Sequence, residues 1–348
     1  MEKLFKSYTD TEFLKDFLDE YASVEIDDLT NKPDILRSLY KFLSKNTKIG
    51  LRHTGISVQS LSYHEKYSLI RFLLNEIAGG SKDYELNNIL VNDDAFQENS
   101  QEFAFVFTGE SKFGNNTGIP IIPTSKTITE WEKYYNSSTQ IISQKESETN
   151  ERTGWEGLIL PRHSFNALII TDTYFFGDKR NIESNFKPLL AQILPETKIT
   201  IEFDLTIFAH LLYPSYDYIT RSHEPVNIEI IQAFHDDIKC ILIRDFDLTH
   251  VNLSVIHMGK RDFHERCLFT NSFAFNSGNA FSYFDNTGKS KLPSQTVLNI
   301  HPLPAENNNV TYAHKYLKVL SELEKFSIKS KLAVGSRKNR LFSQFKIS

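Results

Sequence analysis

The second half of the chain alternates short apolar runs with amphipathic segments, and this order limits the folds open to it. The runs Phe165–Thr171 and Lys198–Phe203 predict buried strands, and helical spacing over 182–194 predicts a helix between them. The other elements predicted in this half are a helix at 227–236 and strands at 239–244, 253–256, 267–270 and 273–275. A β-α-β-α-β order that ends in consecutive strands predicts an α/β sandwich built on a mixed sheet.

The first third of the chain is predicted to be mostly helical. Thr9–Glu12 can cap one helix, Pro33 can open a second, and 60–77 has helical spacing that ends at Gly79. After this the period changes, because the apolar run 102–107 predicts a strand. The first third therefore has a different predicted composition of elements from the second half.

Four regions are predicted from these patterns. Residues 1–137 are predicted to form the mostly helical N-terminal domain, and the polar stretch 138–154 is predicted to be a linker. The α/β domain is predicted to cover 155–305. Residues 306–348 are predicted to form a C-terminal helix, which begins near Thr311, and a basic tail.

The charge of the chain is unevenly distributed. The total is −5, from 39 Lys and Arg against 44 Asp and Glu, yet residues 325–348 hold seven Lys or Arg and no acid. Basic residues neutralise phosphates and aromatic rings stack on bases, and the tail also holds Phe326, Phe342 and Phe345. The tail therefore predicts nucleic-acid binding, with anionic lipid and a solvated terminus without a partner as alternatives. The predicted nucleic-acid-binding residues are Lys329, Lys331, Arg337, Lys338 and Arg340.

One local pattern in the α/β region is typical of phosphate chemistry. His264 and Arg266 are two residues apart at a predicted strand, so their side chains share one face. Asn271 follows five residues after Arg266, and Gly278-Asn279 follows after six more intervening residues. An imidazole beside a guanidinium predicts an oxyanion or phosphate site at His264 and Arg266.

This pattern resembles the motif of the phospholipase D superfamily, which is His-x-Lys, four residues, Asp, six residues and Gly-Ser. The resemblance covers about residues 155–305 and implies that superfamily's mixed-sheet α/β sandwich. In that family the His is a nucleophile, the Lys holds a phosphate oxygen and the Asp orients the imidazole. The resemblance therefore implies catalytic roles for His264, Arg266 and Asn271. It also implies phosphate-binding roles for Arg266, Gly278 and Asn279.

The chain departs from the family pattern in ways that bear on activity. Arg266 can still bind phosphate, but Asn271 carries no charge to stabilise an imidazolium, and Asn279 replaces Ser. Active members need two motifs, and the only other His-x-Lys, at His64, lies in the strongest helical pattern of the first third. An active enzyme would therefore take its second His264 from a symmetry-related subunit of a homodimer.

Three function hypotheses remain open. The first is a phosphate- or nucleic-acid-binding protein with a degenerate phospholipase D-like site, in an accessory or effector role such as bacterial defence. The second is a metal-independent phosphodiesterase or nuclease that acts as a homodimer through His264, and the third is a protein-interaction module with a relic site. The N-terminal domain would have its own, unidentified protein partner.

Other sequence patterns narrow the class of protein. No nucleotide-cradling glycine loop and no Gly-x-Ser-x-Gly turn is present, so neither a cofactor nor a metal is predicted. The N-terminus lacks the apolar core of a signal peptide, and no run is long enough to span a membrane. A cytoplasmic location is therefore expected.

Overall fold

The computed structural model describes most of the chain. The described residues are 4–10, 12–13, 34–52, 104–109, 118–143, 154–195, 199, 202–211, 216–217, 222–223, 226–259, 262, 265–292, 295–308 and 310–345. The predicted helix at 60–77, with His64, lies outside them, and so does His264. The chain divides into two compact units. The first comprises Met1–Asn136, Pro302–Lys315 and Gln344–Ser348, and the second comprises Ser137–His301 and Tyr316–Ser343.

The first unit is built on a parallel sheet of four strands. These are β1 (Phe5–Asp10), β2 (Thr47–Arg52), β3 (Phe105–Thr108) and β4 (Ile121–Pro123), in the order β2-β1-β3-β4. Its helices are α1 (Asp34–Lys41), which continues as a π-helical turn (Phe42–Asn46), and α2 (Thr127–Glu132). The unit also contains the short hairpin of β14 (Glu306–Asn307) and β15 (Val310–Thr311).

The prediction of a mostly helical first third is wrong for the described residues. Thr9 and Asp10 belong to β1, the strand paired on both sides by β2 and β3. Asp10, the last residue of that strand, still caps a helical turn as predicted, because residues 12–13 are helical and Asp10 Oδ1 accepts a hydrogen bond from Phe13 N at 2.6 Å. All four residues of β3 are buried, as is typical of strands in parallel sheets that are covered on both faces. Around Phe105 the core is aromatic, with ring centroids of Phe42 and Trp131 5.2 and 5.6 Å away.

The second unit contains the large mixed sheet, which makes the fold α/β. Its strands are β5 (Ser138–Ile142), β6 (Ala167–Thr171), β7 (Phe203–Ala209), β10 (Val251–His257), β11 (Cys267–Thr270), β12 (Phe273–Ser277), β13 (Thr296–Pro302) and β16 (Ala333–Val334). The order is β16-β10-β7-β6-β11-β12-β13-β5, with β10, β7 and β6 parallel and β11 antiparallel to β6. A separate two-stranded ribbon joins β8 (Tyr216–Asp217) to β9 (Ser222–His223).

Four helices accompany this sheet. They are α3 (Lys187–Ile193), preceded by a π-helical turn (Ile182–Phe186), α4 (Ile228–Phe246), α5 (Tyr312–Lys329) and α6 (Arg340–Gln344). None of the helices in the described ranges has the length and apolar character needed to cross a bilayer.

Two predicted strands of this half are corrected. Residues 239–244 lie within α4, because Ile241 and Leu242 are buried while Cys240 and Ile243 are exposed, which is helical rather than alternating burial. The strand expected at 198–203 begins at Phe203 and runs to Ala209. All seven residues of that strand are buried, so the apolar run continues beyond the predicted end.

The predicted linker at 138–154 is also corrected at its start. Ser138–Ile142 forms β5, an edge strand of the large sheet that pairs antiparallel with β13, and residues 144–153 lie outside the described ranges. Paired polar residues such as Thr139 and Asn299, whose side chains are 3.0 Å apart, allow a polar sequence to form an edge strand.

The basic C-terminal segment is folded into the second unit over 316–343. Strand β16 pairs antiparallel with β10, and Gly335 follows it at φ +101°, where an added Cβ would meet Leu253 O at 2.1 Å. Phe326 packs on Phe208, and Phe342 is buried. In the first unit Phe345 packs edge-on against Phe5 at 5.6 Å. The three aromatic rings expected to stack on bases therefore pack inside the protein.

Candidate functional site

Four polar residues lie at one end of the large sheet. Asp172 follows β6, His210 follows β7, His257 ends β10 and Arg266 precedes β11. Because β6, β7 and β10 are parallel and β11 runs against β6, these positions meet at the same end, which we call the Arg266 end. The register continues to Asp172 beside Arg266, since Thr171 pairs with Cys267. A cation, an acid and two imidazoles therefore lie side by side at the Arg266 end of the sheet.

The side chain of Arg266 is held in place by two contacts. Its guanidinium carbon lies 6.0 Å from the ring centre of Tyr174, and Nη1 donates to the carbonyl oxygen of Gly278 over a long 3.5 Å. Nε is buried and has no hydrogen-bond partner within the described part of the chain. A buried donor without a partner is costly, and an oxyanion is the ligand a guanidinium binds best.

Asp172 is fully buried beside this arginine. Oδ1 accepts hydrogen bonds from the backbone of Tyr174 and Phe175, and Oδ2 accepts one from Phe281 N at 2.6 Å. Burial raises the pKa of Asp172 to about 6, although these backbone donors and the Arg266 charge oppose the shift. The carboxyl group ties the turn after β6 to the loop after β12.

Gly278 and Asn279 lie at the Arg266 end, and their backbone donors are engaged. Gly278 N donates to Val297 O at 3.1 Å, and Asn279 N donates to Ser277 Oγ at 3.1 Å. The hydroxyl of Tyr283 also donates to Ser277 Oγ. Burial raises the pKa of Tyr283, so the phenol stays neutral. Among the predicted phosphate-binding residues, Arg266 has a buried side-chain donor, Nε, without a described partner.

Asn271 lies at the other end of β11. Its Oδ1 accepts hydrogen bonds from the backbone N–H groups of Asn166 and Ala167 at 3.0 and 3.1 Å, which fixes the start of β6. Asn271 is five residue steps along the strand from Arg266, which corresponds to about 17 Å. The structure therefore does not bring Asn271 and Arg266 into one site. Because His264 lies outside the described residues, the pairing of Asn271 with its imidazole and the homodimeric phosphohistidine route stay predictions.

His210 and His257 form a pair that was not anticipated from the sequence. Their rings lie 5.1 Å apart. His210 Nδ1 donates to Met258 O at 2.9 Å, because a carbonyl oxygen can only accept, and His257 Nδ1 accepts from Leu211 N at 3.2 Å. Burial, aided by His210, lowers the pKa of His257 to about 4, so it is neutral with its proton on Nε2. The sequence signal that could have identified this pair is that each histidine lies at the C-terminal end of an apolar strand.

The five tail cations do not form one patch. Lys329 and Lys331 are exposed and precede β16, where His257 N donates to Leu332 O, so they lie toward the Arg266 end. The other three, Arg337, Lys338 and Arg340, follow β16 toward the opposite end. Asn252 Nδ2 donates to Lys338 O there, near the start of β10.

Arg340 was predicted to bind nucleic acid, but its side chain is paired with a buried carboxylate. Its Nε lies 3.0 Å from Asp204 Oδ2, and its side chain is 12% exposed. A guanidinium already paired with a buried carboxylate cannot neutralise a phosphate without breaking that pair. Among the described residues no group of three or more His, Cys, Asp and Glu side chains is arranged to hold a metal ion.

Comparison with known proteins gives little further information. The sequence matches no family model, and it matches none of the curated proteins. Among solved structures, it is similar to phosphatidylserine synthase from Haemophilus influenzae Rd KW20. The identity is 10%, the match covers 52% of this chain and 35% of that chain, and the TM-score is 0.25. A likeness of this size carries no argument about fold or function.

Proposed function

We propose that the Arg266 end of the large sheet binds the phosphate groups of a polyanion, and that this polyanion is nucleic acid. The observation that carries the proposal is the buried Nε of Arg266, which has no hydrogen-bond partner among the described residues. The Gly278 carbonyl and the Tyr174 ring hold the guanidinium in place. A phosphate oxygen would supply the missing acceptor and would gain a charge-assisted hydrogen bond.

A polymer is favoured over a single phosphate because a second cation also lies at the Arg266 end. Lys331 flanks the end of β10, and four strand intervals separate β16 from β11, a span of about 19 Å. The His210–His257 pair lies between Arg266 and Lys331. His210 Nδ1 donates a hydrogen bond and His257 Nδ1 accepts one. Asp262 and Glu265 are exposed in the connection to β11 and offset part of this positive charge. Contacts of Arg266 and Lys331 with phosphates would still release counterions, so binding would weaken as salt rises.

The second unit would on this proposal be a degenerate relative of the phospholipase D superfamily. Support comes from the spacing of Arg266, Asn271 and Gly278 and from the position of Arg266 directly before a central strand of a mixed sheet. The replacement of Asp by Asn at 271 and the engagement of its oxygen with the backbone favour binding over catalysis.

The test is fluorescence anisotropy of a labelled single-stranded oligonucleotide with the full chain. We expect affinity to fall as salt rises from about 50 to 200 mM. Arg266→Gln should weaken binding about tenfold, because it removes a charge-assisted contact, and Lys331→Gln should weaken it less. The matched control is Lys338→Gln, which removes an exposed lysine at the opposite end of the sheet. The sequence assigns Lys338 to nucleic-acid binding, but the site proposed at the Arg266 end does not include it, so affinity should stay unchanged.

Two results would overturn the proposal. One is binding that does not respond to salt, and the other is an equal loss of affinity in the Lys338 and Arg266 variants. Circular dichroism of each variant shows whether a loss comes from misfolding.

A further inference from the structure

The His210–His257 pair has polar atoms that the proposed phosphate contacts do not use. His257 pairs with Ala209 at the ends of β10 and β7. His210, the residue after Ala209, contacts the carbonyl oxygen of Met258, the residue after His257. Both imidazoles are partly exposed, and their ring centres are 5.1 Å apart. The two rings therefore form one small polar surface at the Arg266 end of the sheet.

Backbone contacts determine which nitrogen of each neutral ring carries the hydrogen. His210 Nδ1 must donate, because Met258 O can only accept, so Nε2 of this ring is an acceptor. His257 Nδ1 must accept, because Leu211 N can only donate, so Nε2 of this ring carries the hydrogen. Neither Nε2 has a hydrogen-bond partner within the described part of the chain. The pair thus presents one acceptor and one donor on neighbouring rings.

A phosphate group does not match this combination. A phosphodiester offers acceptors alone, so it would leave the lone pair of His210 Nε2 without a donor. Burial lowers the pKa of His257 to about 4, so this ring adds no positive charge for an anion. The Watson–Crick edge of a nucleobase, by contrast, carries a donor next to an acceptor, such as N3–H and O4 of thymine. Such edges are available for hydrogen bonds in unpaired strands.

The pair also lies between the two cations proposed to contact phosphates. From β11, the order across the sheet is β6, β7, β10 and β16. His210, at the end of β7, is two strand intervals from β11, which corresponds to about 10 Å. Lys331 lies beyond the pair, since it precedes β16. A single strand whose phosphates contact Arg266 and Lys331 therefore passes both imidazoles.

We propose that the His210–His257 pair binds the Watson–Crick edge of an unpaired nucleobase, with His210 Nε2 accepting a hydrogen bond from the base and His257 Nε2 donating one to it. This inference rests on the proposed binding of nucleic acid at the Arg266 end. It adds that the ligand is single-stranded, because base pairing would occupy the same edge.

The probes are three labelled DNA oligomers of equal length: oligo(dT), the same oligomer made from N3-methylthymidine, and an abasic oligomer. All three have the same backbone charge and lack the 2′-hydroxyl that could also donate to His210. Their affinities for the full chain are measured by fluorescence anisotropy at pH 8, where free imidazole is neutral. Oligo(dT) should bind about fivefold more tightly than the methylated oligomer, which lacks the N3–H donor. The abasic oligomer should bind no better than the methylated one.

Variants of the two histidines assign the contacts. His210→Phe keeps a ring but removes the acceptor, so it should bind oligo(dT) and the methylated oligomer equally. His257→Phe should weaken oligo(dT) binding yet keep the preference over the methylated oligomer, because His210 is intact. The matched control is His250→Phe, the same change at an exposed histidine before the start of β10, and its affinities should equal those of the wild type.

The comparison of oligomers uses the wild type, so it tests the inference even if His210→Phe does not fold. Equal, salt-dependent binding of all three oligomers would overturn the inference and leave the proposed function standing. Binding that does not respond to salt would instead contradict the proposed function. A preference for oligo(dT) that persists in full in a folded His210→Phe variant would show that a different group contacts the base, and the assignment to this pair would be wrong.

Discussion

Arg340 and Asp204, 136 residues apart in the sequence, form an ion pair that anchors the C-terminal segment to the large sheet. The Nε–Oδ2 distance is 3.0 Å, and the backbone N of Arg340 donates to the same carboxylate oxygen at 2.8 Å. Both side chains are largely buried, at 12% and 8% exposure. A cation that the sequence assigns to a nucleic-acid contact is thus part of the fold.

Arg340→Gln should therefore destabilise the second unit. Removing one partner of a buried pair leaves the Asp204 carboxylate without its countercharge, and the expected loss in the free energy of unfolding is about 2–4 kcal/mol. Urea unfolding followed by circular dichroism measures it. Lys338→Gln is the control, because its exposed side chain lies two residues away, and its curve should overlay that of the wild type.

Truncation after Lys325 should prevent the second unit from folding normally. It removes β16 from the edge of the large sheet, the contact of Phe326 with Phe208, and the side-chain amide of Asn339 that donates to Leu168 O. The expected result is a lower Tm and loss of the cooperative transition.

A variant that changes only surface charges distinguishes a structural role of the C-terminal segment from a role in solubility alone. Replacing Lys329, Lys331 and Lys338 together by Gln removes three exposed charges without touching a buried contact, and Tm should change by a few degrees at most. A truncated chain as stable as this variant would contradict the packing described for the segment.

The C-terminal segment shows what a single sequence reveals and what it hides. The helix from Tyr312 was predicted from apolar residues at helical spacing, and that prediction is confirmed. The path of the chain after this helix depends on partners such as Leu168, Thr206 and Asp204, which are 133 to 171 residues away. Contacts at such separations leave no local periodicity, so the sequence of this basic, aromatic segment predicts an exposed tail.

The candidate site was partly predictable for similar reasons. Arg266 and Gly278 were placed together by motif spacing, and the hairpin of β11 and β12 brings them within contact. Asn271 was expected to face an imidazole, and the sequence could not show that two backbone N–H groups at the start of β6 donate to its oxygen. The prediction of a strand at 239–244 is wrong, because a short apolar run is compatible with either a strand or a buried helix face.

Asn271→Ala should destabilise the second unit by about 2–3 kcal/mol. The change removes the acceptor of two buried backbone N–H groups, and unsatisfied buried donors carry a large desolvation cost. Asn271→Asp keeps an oxygen in the same place and should be closer to the wild type. Thermal unfolding of both variants measures the difference, and equal losses would show that the oxygen is not the group that matters.

Asp172 gives the stability of the fold a pH dependence with a defined sign. Its pKa is about 6 in the folded protein, against an ordinary value of 3.8 for an aspartate. A raised carboxyl pKa means that the folded state binds the proton more tightly, so this group's contribution is largest below pH 3.8 and is lost as pH rises through 6. The whole effect on the free energy of unfolding is about 3 kcal/mol, because a tenfold change in proton affinity corresponds to about 1.4 kcal/mol.

The measurement is the free energy of unfolding of the wild type and Asp172→Asn from pH 7 to 4. Asn cannot titrate, so the difference between the two proteins should widen in favour of the wild type as pH falls, with most of the change between about pH 6 and 4. The variant should be the less stable at every pH, because its amide N–H₂ would face one of the backbone donors of Tyr174, Phe175 or Phe281. A difference that stays constant over this range would mean that Asp172 keeps an ordinary pKa and that its burial is compensated by the three backbone donors and Arg266.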